Sequence, residues 1–157
     1  MHVRVCIAAL AGAVATLAPL AHAASGHVLK ATYSGHATGQ AAGTRVAGRA
    51  SATGRGTVIG RSKLSGSGAG TLTSTGCVLF DGKAVMKGAT GSIRLKAKAA
   101  RACLPATGAT SVSFSGRVSV TGGTARFTGA RGTLRFNGVY DTQTRVLTIS
   151  FKGTVTY

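Results

Sequence analysis

The chain is almost without acidic residues. Its 157 residues include 19 lysines and arginines but only two acidic residues, Asp81 and Asp141, and glutamate is absent. The formal net charge is therefore +17 with histidine neutral. General acid–base catalysis at neutral pH needs a positioned histidine, aspartate or glutamate, and nucleophilic catalysis needs a base beside the nucleophile. No such constellation is recognisable, which favours a non-catalytic protein.

Metal-binding patterns and helical periodicity are also missing. Tryptophan is absent, and the aromatic residues are five phenylalanines and three tyrosines. His27 and His36 lie in polar sequence far upstream of Cys77 and Cys103, and this spacing fits no zinc pattern. The sequence therefore predicts neither a metal site nor a cofactor. Downstream of the first 23 residues, no segment sustains the 3.6-residue apolar period of an amphipathic helix.

The first 23 residues have the pattern of a secretory signal peptide. Arg4 precedes an uncharged run over 5–21, and Ala-His-Ala at 21–23 forms an A-x-A cleavage site. The competing interpretation is a membrane anchor, but Pro19 and His22 interrupt a run that is already short for a bilayer. We predict cleavage between Ala23 and Ala24 and a secreted, periplasmic or envelope-associated protein.

Cysteine is scarce in the predicted mature chain. Cleavage removes Cys6 and leaves Cys77 and Cys103. In an oxidising compartment two cysteines most simply form one disulfide, with two unpaired buried thiols as the alternative. The loop would hold about 25 residues, for which the chain-entropy model gives about 3–3.5 kcal/mol.

Strict alternation of apolar and polar residues dominates the last third of the chain. This period of two is typical of strands with one buried face, and it predicts consecutive antiparallel strands over 111–121, 131–140 and 145–157. Phe114, Phe136, Ile149 and Phe151 should then be nearly inaccessible to solvent. Further strands are predicted over 28–34, 57–64, 77–80, 83–86 and 92–99.

Turns and loosely specified stretches are predicted between these strands. Asp81–Gly82 favours a type I′ hairpin turn, and Asp141–Thr144 a second turn. The small residues at 65–70 are typical of a flexible connection. Residues 24–55 hold so little apolar surface that we expect them to be loosely ordered beyond the first strand.

One all-β domain over 24–157 accommodates these elements. Seven or eight antiparallel strands fit either a closed β-barrel or a β-sandwich. Glycines within strands suit the curvature of a barrel, as in the recurring Gly-Thr followed by Val or Leu. We therefore predict a single antiparallel barrel of about eight strands, with the sandwich as the alternative.

The loop GGTARFTGARG at 122–132 resembles the GGTG-x-F-x-x-A-R-G signature of dirigent proteins, whose barrel is shared by allene oxide cyclases. The resemblance implies an eight-stranded barrel around an apolar cavity that takes a small ligand. It covers about 17 residues, and Ala125 replaces the third glycine. Dirigent proteins are thought to use acidic residues in the cavity, whereas Asp81 and Asp141 both fall in predicted turns here.

Two sets of residues are candidates for binding. A one-sided positive charge attracts polyanions, and outward-facing basic residues of the strands and of the 122–132 loop would provide the contacts. These are Arg94, Lys96, Lys98, Arg117, Arg126, Arg131, Arg135 and Lys152. An apolar ligand in the barrel would instead meet Phe114, Phe136, Tyr140 and Phe151.

The sequence is compatible with three functions. The favoured one is a non-catalytic module that binds anionic envelope or extracellular polymers, without specific recognition of nucleic acid. The alternatives are a dirigent-like barrel that binds or guides a small apolar ligand, and a structural matrix component. Solvation of the surface is the simplest competing explanation for the basic residues.

Overall fold

The computed structural model describes residues 25–103 and 110–157, which form a closed, antiparallel, eight-stranded β-barrel. The strands are β1 (Gly26–Ala42), β2 (Arg45–Gly56), β3 (Gly60–Leu72), β4 (Cys77–Gly88), β5 (Gly91–Cys103), β6 (Ser111–Ala125), β7 (Arg131–Asp141) and β8 (Val146–Thr156). Each strand pairs with the next, and β8 returns to pair with β1. The predicted barrel is confirmed, and the sandwich alternative is wrong.

The core fills one end of the barrel. This closed end carries the turns at 57–59, 89–90 and 126–130, and two turn side chains, Ile59 and Phe127, fold inward to cap it with 3 % and 0 % exposure. The largest side chains that are fully buried are Leu29, Tyr33, Met86, Ile93, Phe127, Leu134 and Val155.

Glycines make room for the large side chains inside the barrel. Tyr33 lies opposite Gly54 on the neighbouring strand, and Phe136 lies opposite Gly116. A Cβ atom at Gly54 would lie 2.7 Å from Cδ1 of Tyr33, and one at Gly116 would lie 3.0 Å from Cε1 of Phe136. The rings therefore occupy the space that side chains at these positions would need, which explains why glycine occurs inside the strands.

One polar pair lies within this packing. The Tyr33 hydroxyl and the Ser62 hydroxyl are 2.8 Å apart and form a hydrogen bond. Burial raises the pKa of the Tyr33 phenol, and the hydrogen bond to Ser62 partly opposes that rise. The phenol is therefore neutral, as suits a buried hydroxyl with a partner.

The three C-terminal strands are confirmed, with β6 extending four residues beyond its predicted end. Phe136, Ile149 and Phe151 are buried as predicted, with 6 %, 9 % and 4 % exposure. Phe114 is partly buried and packs against the edge of the core, so its predicted inaccessibility is wrong. It lies nearer the end opposite the cap, where fewer side chains surround it.

The prediction of a hairpin turn at Asp81 and Gly82 is wrong. Both residues lie inside β4, which continues from Cys77 to Gly88, and the pairing with β5 is irregular at this point. Asp81 Oδ1 accepts a hydrogen bond from the backbone N–H of Ala99 at 2.8 Å, where β5 has a positive φ of 49°. Asp81 therefore stabilises a bulge between two strands.

Two glycine-containing stretches form regular strands where looser structure was predicted. Residues 65–70 belong to β3, and residues 35–55 belong mostly to β1 and β2. The predicted strand at 57–64 begins at Gly60, because 57–59 is a turn. Local apolar content is a poor guide here, since the strands are held by pairing around the barrel.

The disulfide between Cys77 and Cys103 is present and joins directly paired residues of β4 and β5. The predicted signal peptide at 1–23, its cleavage site before Ala24, and Cys6 lie outside the described residues, as does the predicted loop around Pro105 and Gly108. The described residues include no helix long and apolar enough to cross a membrane.

Candidate anion-binding surface

Four cations form a straight row across neighbouring strands on the outer wall. Arg117 on β6 pairs with Arg135 on β7, Arg135 pairs with Lys152 on β8, and Lys152 pairs with Lys30 on β1. All four residues are exposed. We call Arg117, Arg135, Lys152 and Lys30 the cation row.

Like charges directly opposite one another on neighbouring strands repel and destabilise a sheet. Cβ atoms of such pairs are about 4.5–5.5 Å apart, well inside the screening length of about 8 Å at physiological salt. No acidic residue is paired into the row to offset this repulsion. A bound anion would relieve it, and the row is therefore the strongest candidate site on the described surface.

Both acids of the chain are engaged away from the row. Asp81 supports the bulge of β5, and Asp141 ends β7. Asp141 Oδ1 accepts hydrogen bonds from the backbone N–H groups of Gln143 at 2.9 Å and Thr144 at 2.7 Å, which confirms the predicted turn there. These bonds, first of all the one from Thr144, lower the pKa of Asp141.

The lowered pKa predicts an acid-dependent contribution to stability. Asp141 stabilises the fold fully above its unfolded pKa of about 3.9, and the contribution is lost as pH falls through the lower folded value. We expect Asp141→Ala to lower the melting temperature at pH 7, and the two proteins to converge at the lowest pH. Thermal melts between pH 7 and pH 2 test this. A difference that stays constant over the whole range would contradict it.

Other basic residues form separate cross-strand pairs around the barrel. Lys63 pairs with Lys87 between β3 and β4, and Lys83 pairs with Lys96 between β4 and β5. Lys98 is exposed beside the irregular part of β5. The Lys63–Lys87 and Lys83–Lys96 pairs each join two cations, whereas the cation row joins four. The row therefore concentrates more charge in one line.

The remaining predicted arginines lie near the closed end. A Cβ atom on Gly122 would lie 2.7 Å from Nη2 of Arg94 and 3.7 Å from Nη1 of Arg131, so the two guanidinium groups converge over this glycine. Arg131 also donates a hydrogen bond from Nη1 to the carbonyl of Ala130 at 2.8 Å. These contacts hold Arg131 against its own turn.

Arg126 lies over the closed end rather than on the strand wall. Its Nη2 donates a hydrogen bond to the Tyr157 hydroxyl at 3.1 Å, and its guanidinium carbon lies 5.3 Å from the centre of the Tyr157 ring. Tyr157 in turn packs between His27 and Phe127, at 4.7 and 4.9 Å between ring centres. Arg126 therefore has a clear structural role and is separate from the cation row.

A recess opens at the end opposite the cap. The described residues leave a solvent-accessible space of about 1300 Å³ there. Gly39, Gly48, Gly68 and Gly82 pair in one row along its inner wall across β1 to β4. On these four strands the inner wall at this level therefore consists of backbone.

The predicted ligand-binding aromatics divide between the core and this recess. Phe136 lies 6.2 Å from Phe114 and 6.0 Å from Phe151 between ring centres, so these three rings pack against one another in and beside the core. Tyr140 lines the recess and donates a hydrogen bond to the carbonyl of Ala37 at 3.4 Å. Of the four residues, Tyr140 is thus the one in place to meet a ligand in the recess.

Lys30 is the member of the row that sequence reasoning missed. It occupies the polar phase of the first predicted strand, but its position beside Lys152 depends on the pairing of β1 with β8.

Within 25–103 and 110–157, no group of three or more His, Cys, Asp or Glu residues is arranged to hold a metal ion. Comparisons with protein-family models, curated proteins and solved structures find no match to the chain.

Proposed function

We propose that the protein is a non-catalytic module that binds an anionic polymer of the cell envelope or extracellular space through the cation row. The observation that carries this proposal is the register of Arg117, Arg135, Lys152 and Lys30 in one exposed line. The net charge of +17 supports it, because the whole molecule attracts polyanions before contact is made. The disulfide supports an oxidising compartment, where such polymers occur.

Binding to a polyanion should depend steeply on salt. Polyanions carry condensed counterions that are released when a protein neutralises their charges. For four neutralised charges on a single-chain polyanion, raising salt from about 50 to about 200 mM is expected to weaken binding roughly 50-fold. Titration of the protein with polygalacturonate and with polyphosphate at several salt concentrations measures this slope.

A double charge reversal tests whether the row itself binds. We expect Arg135→Glu with Lys152→Glu to weaken binding at least about tenfold, because two attractive contacts become repulsive. Lys63→Glu with Lys87→Glu is the matched control. It reverses another directly paired set of exposed cations, changes the net charge equally, and lies on the opposite wall. Equal losses in the two variants would show that net charge alone drives binding.

A second candidate function is the binding of a small apolar ligand in the recess. The position of Tyr140 on the wall of the recess favours it, whereas charged residues such as Arg49, Lys83 and Arg145 also line this space. The dirigent-like loop adds support, since Ala125 has a φ of 52° at the position where that signature has glycine. If polyanion binding were absent or insensitive to salt, and an apolar small molecule raised the melting temperature, this function would replace the first.

A further inference from the structure

The cation row has a border of short polar side chains on each side. In the register of β6, β7, β8 and β1, the border toward the open end consists of Ser115, Asn137, Ser150 and Thr32. The border toward the closed end consists of Ser119, Thr133 and Thr154, followed by Val28. The outer wall of these four strands is thus a line of charge between two lines of hydroxyl and amide groups.

These border groups are available to a ligand. Thr133 and Thr154 are directly paired, and both are exposed. On the other border, the hydroxyls of Thr32 and Ser150 are 3.2 Å apart and hydrogen-bond to each other, which fixes their positions. Hydroxyl groups both donate and accept hydrogen bonds, so they match the hydroxyl groups of sugars.

The spacing of the charges favours a particular kind of chain. Neighbouring strands lie about 4.7–4.9 Å apart at the backbone, so a polymer that runs across the strands meets one cation per strand, and the flexible lysine and arginine side chains on the outer wall can place their charges at this interval or wider. This interval is close to the length of one pyranose residue in an extended polysaccharide. A uronic acid polymer has one carboxylate per residue, whereas charges are closer together in polyphosphate and farther apart along a sugar-phosphate backbone.

Aromatic residues on these strands do not face the polymer. Phe114, Phe136, Phe151 and Tyr33 all take part in the internal packing. Proteins that bind single-stranded nucleic acid without sequence preference stack the bases on exposed aromatic rings. The outward-facing described residues of the four-stranded wall include no phenylalanine, tyrosine or tryptophan, and the one exposed imidazole, His36, lies six residues along β1 from Lys30, which favours a sugar polymer over a nucleic acid.

We infer that the polymer is a linear polysaccharide with one carboxylate per sugar, bound with its carboxylates on the cation row and its hydroxyl groups on the borders. This inference rests on the proposed function and specifies the class of polymer. Arginine and lysine attract the carboxylates by charge, while the borders distinguish a sugar from another anion. The two contributions are separable by experiment.

The test compares polygalacturonate with polyphosphate, using a variant that removes border hydroxyls. Thr133→Val with Thr154→Val keeps side-chain shape, strand preference and net charge. Two lost hydrogen bonds predict an approximately fivefold or greater loss of affinity for polygalacturonate, with affinity for polyphosphate unchanged. Thr53→Val with Thr71→Val, at exposed threonines on β2 and β3, is the control and should change neither affinity. Thermal melts verify that each variant is folded.

The outcomes separate the two proposals. Fully methyl-esterified polygalacturonate, which keeps the sugars without the charge, should bind far more weakly than the acid form. The inference is wrong, while the proposed function stands, if polyphosphate binds as tightly per charge as polygalacturonate does. The same holds if the Thr133→Val, Thr154→Val variant binds polygalacturonate as tightly as the wild type. If neither polymer binds in a salt-dependent manner, both are wrong.

Discussion

Replacing Phe151 by alanine is expected to lower the free energy of unfolding by about 3–5 kcal/mol. Phe151 is 4 % exposed, and its ring lies 6.1 Å from that of Tyr33 and 6.0 Å from that of Phe136 between centres. Removing it leaves a cavity between strands that cannot approach each other, because the barrel is closed by hydrogen bonds on both sides. Urea denaturation of the wild type and the variant measures the loss.

Lys152→Ala is the matched control for this prediction. Lys152 is the next residue of the same strand but is exposed and points outward. Because it faces Arg135 and Lys30 across the sheet, its removal relieves like-charge repulsion. We expect unchanged or slightly greater stability. Equal losses for the two alanine variants would contradict the assignment of inner and outer faces.

Loss of the disulfide has the second largest expected effect on stability. Cys77 and Cys103 are separated by 26 positions, and loss of the cross-link, which restricts the unfolded chain, is expected to lower the free energy of unfolding by about 3–3.5 kcal/mol. Cys77→Ala with Cys103→Ala should therefore lower the melting temperature by roughly 10 °C. Reduction of the wild type should have a similar effect, since both changes free the same loop.

The double alanine variant supplies its own control, because a reductant should leave its melting temperature unchanged. The disulfide joins β4 to β5, whereas the cation row lies on β6, β7, β8 and β1. Polymer binding by the folded variant should consequently match that of the wild type. An unchanged wild-type melting temperature after verified reduction would contradict a stabilising role for the disulfide.

The strands with apolar side chains could be predicted from the sequence because alternation is a local property. Phe136, Ile149 and Phe151 show the period of two, and all three are buried. The stretch 65–70 has the same period, with Ser65, Ser67 and Ala69 outside and glycine inside. Glycine contributes no apolar side chain to mark the inner face, so this strand resembles a flexible linker until its pairing with β2 and β4 is known.

The wrong prediction of a hairpin turn at Asp81 and Gly82 also arose from a local signal. The dipeptide is a strong turn signal, since glycine and aspartate both tolerate turn conformations. In the barrel, Gly82 instead lies opposite Gly68 on the inner wall, where a Cβ atom would lie 3.0 Å from the carbonyl oxygen of Ser67. Asp81 accepts a backbone hydrogen bond from the neighbouring strand. Both features arise from neighbours that are distant in sequence, so the local signal was misleading.

The sequence by itself determined the all-β class, the inner and outer faces of the C-terminal strands, the excess of positive charge and the pairing of Cys77 with Cys103. Each of these follows from composition or from a short-range period. The outward phase of Arg117, Arg135 and Lys152 could be predicted from the alternation, but the tertiary structure decided which cations meet. Arg117, Arg135 and Lys152 align through the register of three hairpin-connected strands, and Lys30 joins them because β1 closes the barrel against β8. Register and closure depend on the packing of the whole barrel around its core, and no local pattern of residues encodes them.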